Sequence, residues 1–340
     1  MIKDACAQYF GAHETEVFPL ISTMPADILQ VIHEQSEPDL ASVFVARLAD
    51  GACIEFVESV QPPVPADLKW VNIVSVLRGC PVGCAFCDAG GSFAGTVSAE
   101  EMLAQIDHLV ARRFPDGIVP VPKWKIQFAR MGDPAFNREV VRVIERVGER
   151  YGAPGFHPSI STIAPASCER FFEELVAVKR RLAFGSRFQL QFSLHTTCEE
   201  TRRTLIPVKL WSFEQIAAYG ERWFEPGDRR ITLNFALQRG VPFEPARLVG
   251  VFPPERFLLK ITPVNPTRSS LENGIEGAVD AANPENNQWI TERCRNAGYA
   301  HILSIGELAE NRVGSNCGMY LDQANARATG SALTEWPARP

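Results

Sequence analysis

Apolar and polar residues alternate along the chain with two periods, one typical of strands and one typical of helices. Strand-like segments occur at 71–78, 123–130, 157–163, 187–193, 230–236 and 256–262. Between them, apolar residues recur at helical spacing at about 98–113, 136–150, 166–181, 212–224 and 284–297. A repeated strand–helix alternation predicts a parallel sheet covered by helices, and six strands predict an α/β partial (β/α)6 barrel.

Several of the predicted strands are apolar on one face only. In segment 123–130, for example, Trp124, Ile126 and Phe128 alternate with Lys125 and Gln127. Parallel strands that are buried on both faces read instead as continuous apolar runs. The apolar face therefore packs on helices, and the polar face lines a hydrated interior, unlike the packed core of a closed eight-stranded barrel. The alternative is an antiparallel sheet with one solvated face, and the intervening helices argue against it.

The segment before the barrel predicts a small β-hairpin. Segments 43–48 and 53–60 flank Ala49–Asp50–Gly51, which is a turn signal, and a proline-rich connector follows. We therefore expect an acidic N-terminal extension with helical and hairpin structure at 1–62, a barrel at 63–323, and a flexible tail at 324–340.

Composition and charge are those of a globular protein, with 46% hydrophobic and 22% charged residues in 340. The net charge is −6, and residues 1–40 alone carry it, because seven acidic residues there oppose the single Lys3. Nucleic-acid binders usually carry a basic face, which this acidic segment does not provide. The first residues lack a signal-peptide pattern, and the apolar run before the cysteines is too short to span a membrane. The sequence thus predicts a cytoplasmic protein without membrane contact.

Three of the nine cysteines, Cys80, Cys84 and Cys87, form a C-x3-C-x2-C motif directly after the first barrel strand. In a reducing compartment such a cluster indicates metal binding rather than disulfides. A structural zinc site typically needs four ligands. Three thiolates would instead leave one iron of a [4Fe–4S] cluster open, and the amino and carboxylate groups of S-adenosylmethionine (SAM) can bind it. A non-catalytic iron–sulfur or zinc-binding protein is the alternative of a different class.

The cysteine motif, with Phe86 before its last cysteine, is the signature of the radical SAM superfamily. Residues from about 45 to 320 further resemble the radical SAM methyltransferases of 23S rRNA and tRNA, which act at adenine C2 and have C8-acting relatives. The matching segments are LADGACIEFV (48–57), MGDPAFN (131–137), SISTIAP (159–165), FSLHTTCEETRRTLIPV (192–208), ITPVNP (261–266) and GSNCGMY (314–320). The resemblance implies an enzyme that cleaves SAM reductively to a 5′-deoxyadenosyl radical.

The resemblance also implies roles for individual residues. SAM contacts are expected from Gly132, Asp133, Ser161, Ser193, Leu194, His195 and Asn265. Cys317 matches the cysteine that is methylated and passes its carbon to the RNA base, and Glu55 matches the residue proposed as proton acceptor. Asp133 replaces a glutamate of the family, so its reach is shorter. An electron donor such as flavodoxin or ferredoxin is expected as a partner.

One position departs from the family in a way that affects its mechanism. The family places a second cysteine seven residues before the cluster, where its thiolate releases the enzyme–RNA adduct, and this chain has Ile73 there. The sequence therefore favours a non-ribosomal substrate, either a small molecule or a nucleotide, with RNA as the alternative. In the RNA alternative another thiol would replace the missing one, and the candidates are Cys53, Cys168, Cys198 and Cys294.

Overall fold

The computed structural model describes residues 28–60, 63–90, 93–306 and 310–316, and its strands form one ten-stranded sheet in chain order. The strands are β1 (Leu29–Glu37), β2 (Ala41–Leu48), β3 (Cys53–Ser59), β4 (Lys69–Val74), β5 (Lys123–Phe128), β6 (Phe156–Thr162), β7 (Gln189–Ser193), β8 (Ile231–Ala236), β9 (Phe257–Thr262) and β10 (His301–Leu303). Strands β1 to β4 pair antiparallel, and β4 to β10 pair parallel.

Helices connect the parallel strands, as the apolar periodicity predicted. They are α1 (Ala99–Arg113), α2 (Glu139–Arg150), α3 (Glu169–Arg181), α4 (Glu199–Leu205), α5 (Phe213–Trp223), α6 (Arg268–Glu272), α7 (Gln288–Asn296) and α8 (Glu310–Val313). Short 3₁₀ turns lie at Pro134–Phe136, Gly185–Arg187, Pro245–Leu248 and Pro284–Asn287. In the described part of the chain, no helix combines the length and the apolar character needed to cross a membrane.

The predicted α/β class and parallel sheet are confirmed, with three differences in detail. The parallel part of the sheet has a seventh strand, β10, whose three residues are too few to show a period. The predicted hairpin is a three-stranded meander, because β1 precedes it, and β3 pairs with β4. The hairpin thus continues the barrel sheet. The strand predicted at 71–78 ends at Val74, where the chain turns into the cysteine loop.

Strands β5 to β8 present their apolar faces to the helices and their polar faces to the inside of the curved sheet, whereas apolar Ile73 of β4 lies on the inner face. Trp124, Ile126 and Phe128 on β5 are fully buried, and the Trp124 ring stacks on Trp70 of β4 at 5.5 Å between centroids. A capping box at Ser98 starts α1, which covers this outer layer. The two faces are therefore sorted as the alternation predicted.

The sheet curves around an interior cavity. Ile73 on β4 and Ser304, just after β10, line the same space, although six strand pairings separate them. Among the described strands, β1 and β10 do not pair with each other, so the sheet forms a partial rather than a fully closed barrel.

Candidate active site

A cavity of about 660 Å³ lies inside the curved sheet at the carboxyl ends of its parallel strands. Nine residues that the sequence singled out line it: Cys80, Cys84, Cys87, Gly132, Asp133, Ser161, Ser193, His195 and Asn265. The carboxyl ends of parallel strands meet at one edge of a sheet, so residues that are far apart in sequence converge there.

The cysteine loop runs from the end of β4 to α1 and is fixed at both ends by hydrogen bonds. The amides of Val76 and Leu77 both donate to the Met131 carbonyl at 3.1 Å. Arg78 donates to the Thr96 carbonyl and forms an ion pair with Glu101 at the first turn of α1, at 2.6 Å. These bonds hold the three cysteines against the cavity while their side chains stay partly exposed.

The three thiols line the cavity, and burial shifts two of them toward the protonated form. Burial raises the pKa of Cys84 to about 12 and also raises the pKa of Cys80, so both need metal binding to lose their protons. Among the described residues, no three His, Cys, Asp or Glu side chains are arranged to hold one metal ion. Each thiol in a cluster binds a different iron, so the thiols need not converge on one point.

The Gly132–Asp133 turn packs closely between the cysteine loop and β6. Gly132 has a positive φ of 84°, and a Cβ there would overlap the Leu77 side chain, so only glycine fits. The Asp133 carboxylate accepts hydrogen bonds from Ala135 N at 2.9 Å and Ile163 N at 2.6 Å. Burial raises the pKa of Asp133 to about 6, and these bonds oppose the rise. The carboxylate thus braces the turn while lining the cavity.

His195 is held as a neutral ring at the cavity wall. Burial, with a smaller effect from the Arg202 charge, lowers its pKa to about 3. Its Nδ1 accepts a hydrogen bond from the Ala236 amide at 3.1 Å, so the ring proton resides on Nε2. Its backbone φ of 65° is unusual for a residue with a side chain. The Phe86 ring meets the imidazole edge-to-face at 4.9 Å between centroids.

The segment after β9 is tied to the cysteine loop. The Asn265 carbonyl accepts hydrogen bonds from Thr267 N at 2.8 Å and Ser270 Oγ at 3.0 Å. Thr267 Oγ1 in turn donates to the Phe86 carbonyl at 3.1 Å. Asn265 also lines the cavity. Leu194 is placed differently, because its side chain is fully buried in the core and does not line the cavity.

Glu55 lies behind the cavity wall rather than on it. It is fully buried, and its Oε2 accepts hydrogen bonds from Arg130 Nε at 3.1 Å and Nη2 at 2.6 Å. The same guanidinium donates to the carbonyls of Gly314 and Ser315, both at 2.6 Å, and of Asn316 at 2.5 Å. Cys317 lies outside the described residues, and the three carbonyls belong to the residues directly before it.

Sequence reasoning missed Arg130. Its only signal in the sequence is a charged side chain between an apolar strand and the Met131–Gly132–Asp133 turn. Its guanidinium links β3, the end of β5 and the C-terminal segment, and Arg130 also lines the cavity. A planar group with five donors suits this task, since one side chain can satisfy a carboxylate and several carbonyls together.

Ile73, where the resemblance predicts a cysteine, is part of the cavity wall. Ile73 lines the cavity and packs, with Cys53 and Val313, against one small apolar cluster on β2 and β3. None of the four candidate replacement thiols lines the cavity. Cys53 and Cys198 are partly exposed, and Cys168 and Cys294 are buried.

Comparison with known proteins places the chain beside RNA methyltransferases. No family model matches it. It is 28% identical over 216 residues to the dual-specificity RNA methyltransferase RlmN of Halorhodospira halophila, covering 62% of this chain and 55% of that protein. It is 24% identical over 358 aligned residues to a probable dual-specificity RNA methyltransferase RlmN of a Parafrankia species, covering 96% of this chain and 87% of that protein. The chain thus spans little more than half the length of some relatives.

The fold agrees with the sequence comparison. The crystal structure of a radical SAM methyltransferase from Sphaerobacter thermophilus matches with a TM-score of 0.65 and 23% identity, covering 86% of this chain and 80% of that one. The predicted resemblance to radical SAM methyltransferases is thereby confirmed. The expected cofactors, a [4Fe–4S] cluster and SAM, are those that this class of enzymes uses.

Proposed function

We propose that this chain, a relative in sequence and fold of the radical SAM methyltransferases, is itself a radical SAM enzyme that methylates an adenine of RNA. The observation that carries the proposal is the convergence of Cys80, Cys84 and Cys87 with six of the seven expected SAM contacts on one cavity. The relatives named as RNA methyltransferases favour RNA over the non-ribosomal substrate that the sequence analysis preferred.

The residues around the cavity have distinct tasks in this proposal. Cys80, Cys84 and Cys87 hold the cluster, which supplies the electron for reductive cleavage of SAM. The Gly132–Asp133 turn and Asn265 would offer backbone and side-chain polar groups to the amino acid part of SAM. Neutral His195 presents an N–H donor at Nε2 at neutral pH.

Arg130 supports the part of the chain that the family uses for methyl transfer. By binding the carbonyls of residues 314–316, it holds the backbone that leads to Cys317 beside β3. Glu55 is engaged by the same guanidinium. For the Glu55 carboxylate to reach a substrate, this ion pair has to loosen, because the side chain is fully buried against Arg130.

A non-RNA substrate is the second candidate, and Ile73 is the observation that favours it. An isoleucine at the cavity wall cannot perform the thiolate attack that releases RNA in the family. A substrate that is released without that thiolate would explain why isoleucine is tolerated. The electron donor, whether flavodoxin or ferredoxin, and the cytoplasmic location stay predictions.

The test compares anaerobically reconstituted wild type with a Cys80→Ala/Cys84→Ala/Cys87→Ala variant. We expect the triple variant to lose the visible absorption of the cluster and all formation of 5′-deoxyadenosine. Cys198→Ala, which changes a cysteine away from the cavity, should retain both. Cluster absorption or SAM cleavage in the triple variant would refute the assignment.

The substrate is tested with SAM that carries a deuterated methyl group. Incubation with total RNA from the source cell, followed by nuclease digestion and mass spectrometry, should show labelled methyladenosine. Labelled RNA supports the first candidate. If SAM is cleaved and the label stays out of RNA but enters a small-molecule extract, the second candidate is correct.

A further inference from the structure

A group of basic side chains lies at the amino-terminal end of the barrel strands, opposite the cysteine loop. We call it the basic floor, and it consists of Lys69, Lys123, Lys125, His157 and Arg229. The lysines on β4 and β5 share the inward face, because Ile73 and Gln127 line the cavity and lie an even number of residues further along the same strands. The floor is therefore directly beneath the cavity.

The strand register brings these basic side chains together, and Lys69 and Lys123 form a pair of like charges. Lys69 on β4 is the direct partner of Lys123 on β5, and Lys125 is the direct partner of His157 on β6. Like charges directly opposite each other on one face of a sheet destabilise it. An arrangement of this kind costs stability unless something neutralises it.

No side chain in the described part of the chain neutralises the floor. Lys69, Lys123, Lys125 and Arg229 form no ion pair there, whereas arginines elsewhere are matched by acids, as Arg256 is by Glu221 at 2.6 Å. Burial lowers the pKa of Lys125 well below its ordinary value, and the charges of Lys260, Lys69, Lys123 and Arg229 lower it further. These causes include no acidic group.

A second, independent observation points to a ligand at this end of the cavity. The Ser159 hydroxyl on β6 is almost fully buried and has no hydrogen-bond partner among the described residues. It lies one step above His157 on the inward face, next to Gln127 in the register. Buried polar atoms are nearly always paired, so this hydroxyl is placed for a ligand or for water.

We propose that the basic floor binds the phosphate group of a small molecule at a site distinct from the SAM pocket. Lysines supply point charges for phosphate oxygens, and the Ser159 hydroxyl can donate a hydrogen bond to one of them. Because Lys69, Lys123 and Arg229 are partly exposed, the phosphate can enter from the amino-terminal end of the strands. An RNA backbone is a weaker fit, because it needs a basic outer surface, and these groups line the inside of a sheet.

The test measures the thermal unfolding midpoint of the full, anaerobically reconstituted chain. A ligand that binds only the folded state raises the midpoint with its concentration. We expect inorganic phosphate and pyrophosphate to raise it at constant ionic strength, relative to sodium chloride. Equal midpoints in phosphate and chloride would overturn the proposal.

Two variants separate a binding role from a structural one. Lys123→Gln should raise the midpoint without phosphate, because repulsion with Lys69 is relieved, and it should weaken phosphate binding about tenfold. Lys125→Gln should weaken binding at least as much. Lys209→Gln, an exposed lysine away from the floor, should leave both quantities unchanged. Lowered stability and unchanged phosphate binding in Lys123→Gln would instead indicate a structural lysine and refute the proposal.

A short RNA oligonucleotide serves as the third probe. If the floor binds a small molecule, RNA binding should be equal in the wild type and in Lys123→Gln. If RNA binding falls with this substitution while pyrophosphate has no effect on the midpoint, the phosphate comes from nucleic acid and the small-molecule assignment is wrong. Because these measurements need no SAM cleavage, they stand or fall separately from the proposed methyl transfer.

Discussion

At the scale of single residues, Arg130 connects separate parts of the chain at the site through its hydrogen bonds. It is about 1% exposed, and Glu55 is fully buried. The pair joins a β-strand of the N-terminal meander to the backbone that precedes Cys317. A buried charge is stable only when opposite charges and hydrogen-bonding groups satisfy it fully. Removal of either Arg130 or Glu55 therefore destabilises the group that remains.

Replacing Arg130 with methionine should lower the free energy of unfolding by about 3–5 kcal/mol, because it leaves the buried Glu55 carboxylate without the guanidinium that pairs with it. Urea unfolding measures the change. Arg130→Met combined with Glu55→Gln should recover part of the loss, since no buried charge remains. Arg130→Lys should lie between wild type and Arg130→Met, because one ammonium cannot reach all the acceptors. Equal stability of the wild type and Arg130→Met would contradict this account.

At the scale of elements, helix α1 of the barrel packs on the meander through a histidine ring that contacts two phenylalanine rings. His108 on α1 meets Phe44 of β2 and Phe56 of β3 edge-on, at 5.1 and 5.5 Å between centroids. Burial is the main cause that lowers its pKa from the ordinary 6.5, and the charge of Arg112 adds to it, opposed by Glu34. The helix thus packs on the meander through a ring that stays neutral.

This contact makes stability depend on pH in a defined direction. As the pH falls through 6.5, the unfolded chain binds a proton at His108 that the folded chain resists, so the free energy of unfolding decreases. A His108→Phe variant should lose less stability between pH 7.5 and pH 5.5 than the wild type. Urea unfolding of both proteins at both pH values measures this loss of stability. Other groups titrate alike in the two proteins, so their contribution cancels in the comparison. An equal loss in both proteins would show that His108 does not contribute.

At the scale of the whole molecule, the site draws on both ends of the described chain. Val313 of the C-terminal segment packs in the same apolar cluster as Cys53 on β3 and Ile73 on β4. Position 73 is therefore close to the backbone that leads to Cys317.

Placing a thiol at position 73 tests how the chain releases its product. If RNA is the substrate, Ile73→Cys should raise multiple-turnover methylation and reduce any covalent protein–RNA adduct seen on denaturing gels. Val57→Cys, at the opposite position on β3 and away from the cavity, should have neither effect. Turnover unchanged by Ile73→Cys would indicate that release does not use this position. The smaller side chain should cost roughly 1 kcal/mol of stability.

The sequence by itself determined the α/β class, the parallel strands, most helix positions and the cysteine loop. These features follow from local periods, caps and spacings, which the chain carries within short windows. Tertiary structure decided the rest, because its contacts join residues far apart in sequence. The pairing of Glu55 with Arg130 spans 75 positions, and the bonds from Arg130 to the C-terminal segment span more than 180. Lys69 lies opposite Lys123 because of the register between β4 and β5. The order of residues within either strand does not specify that register by itself.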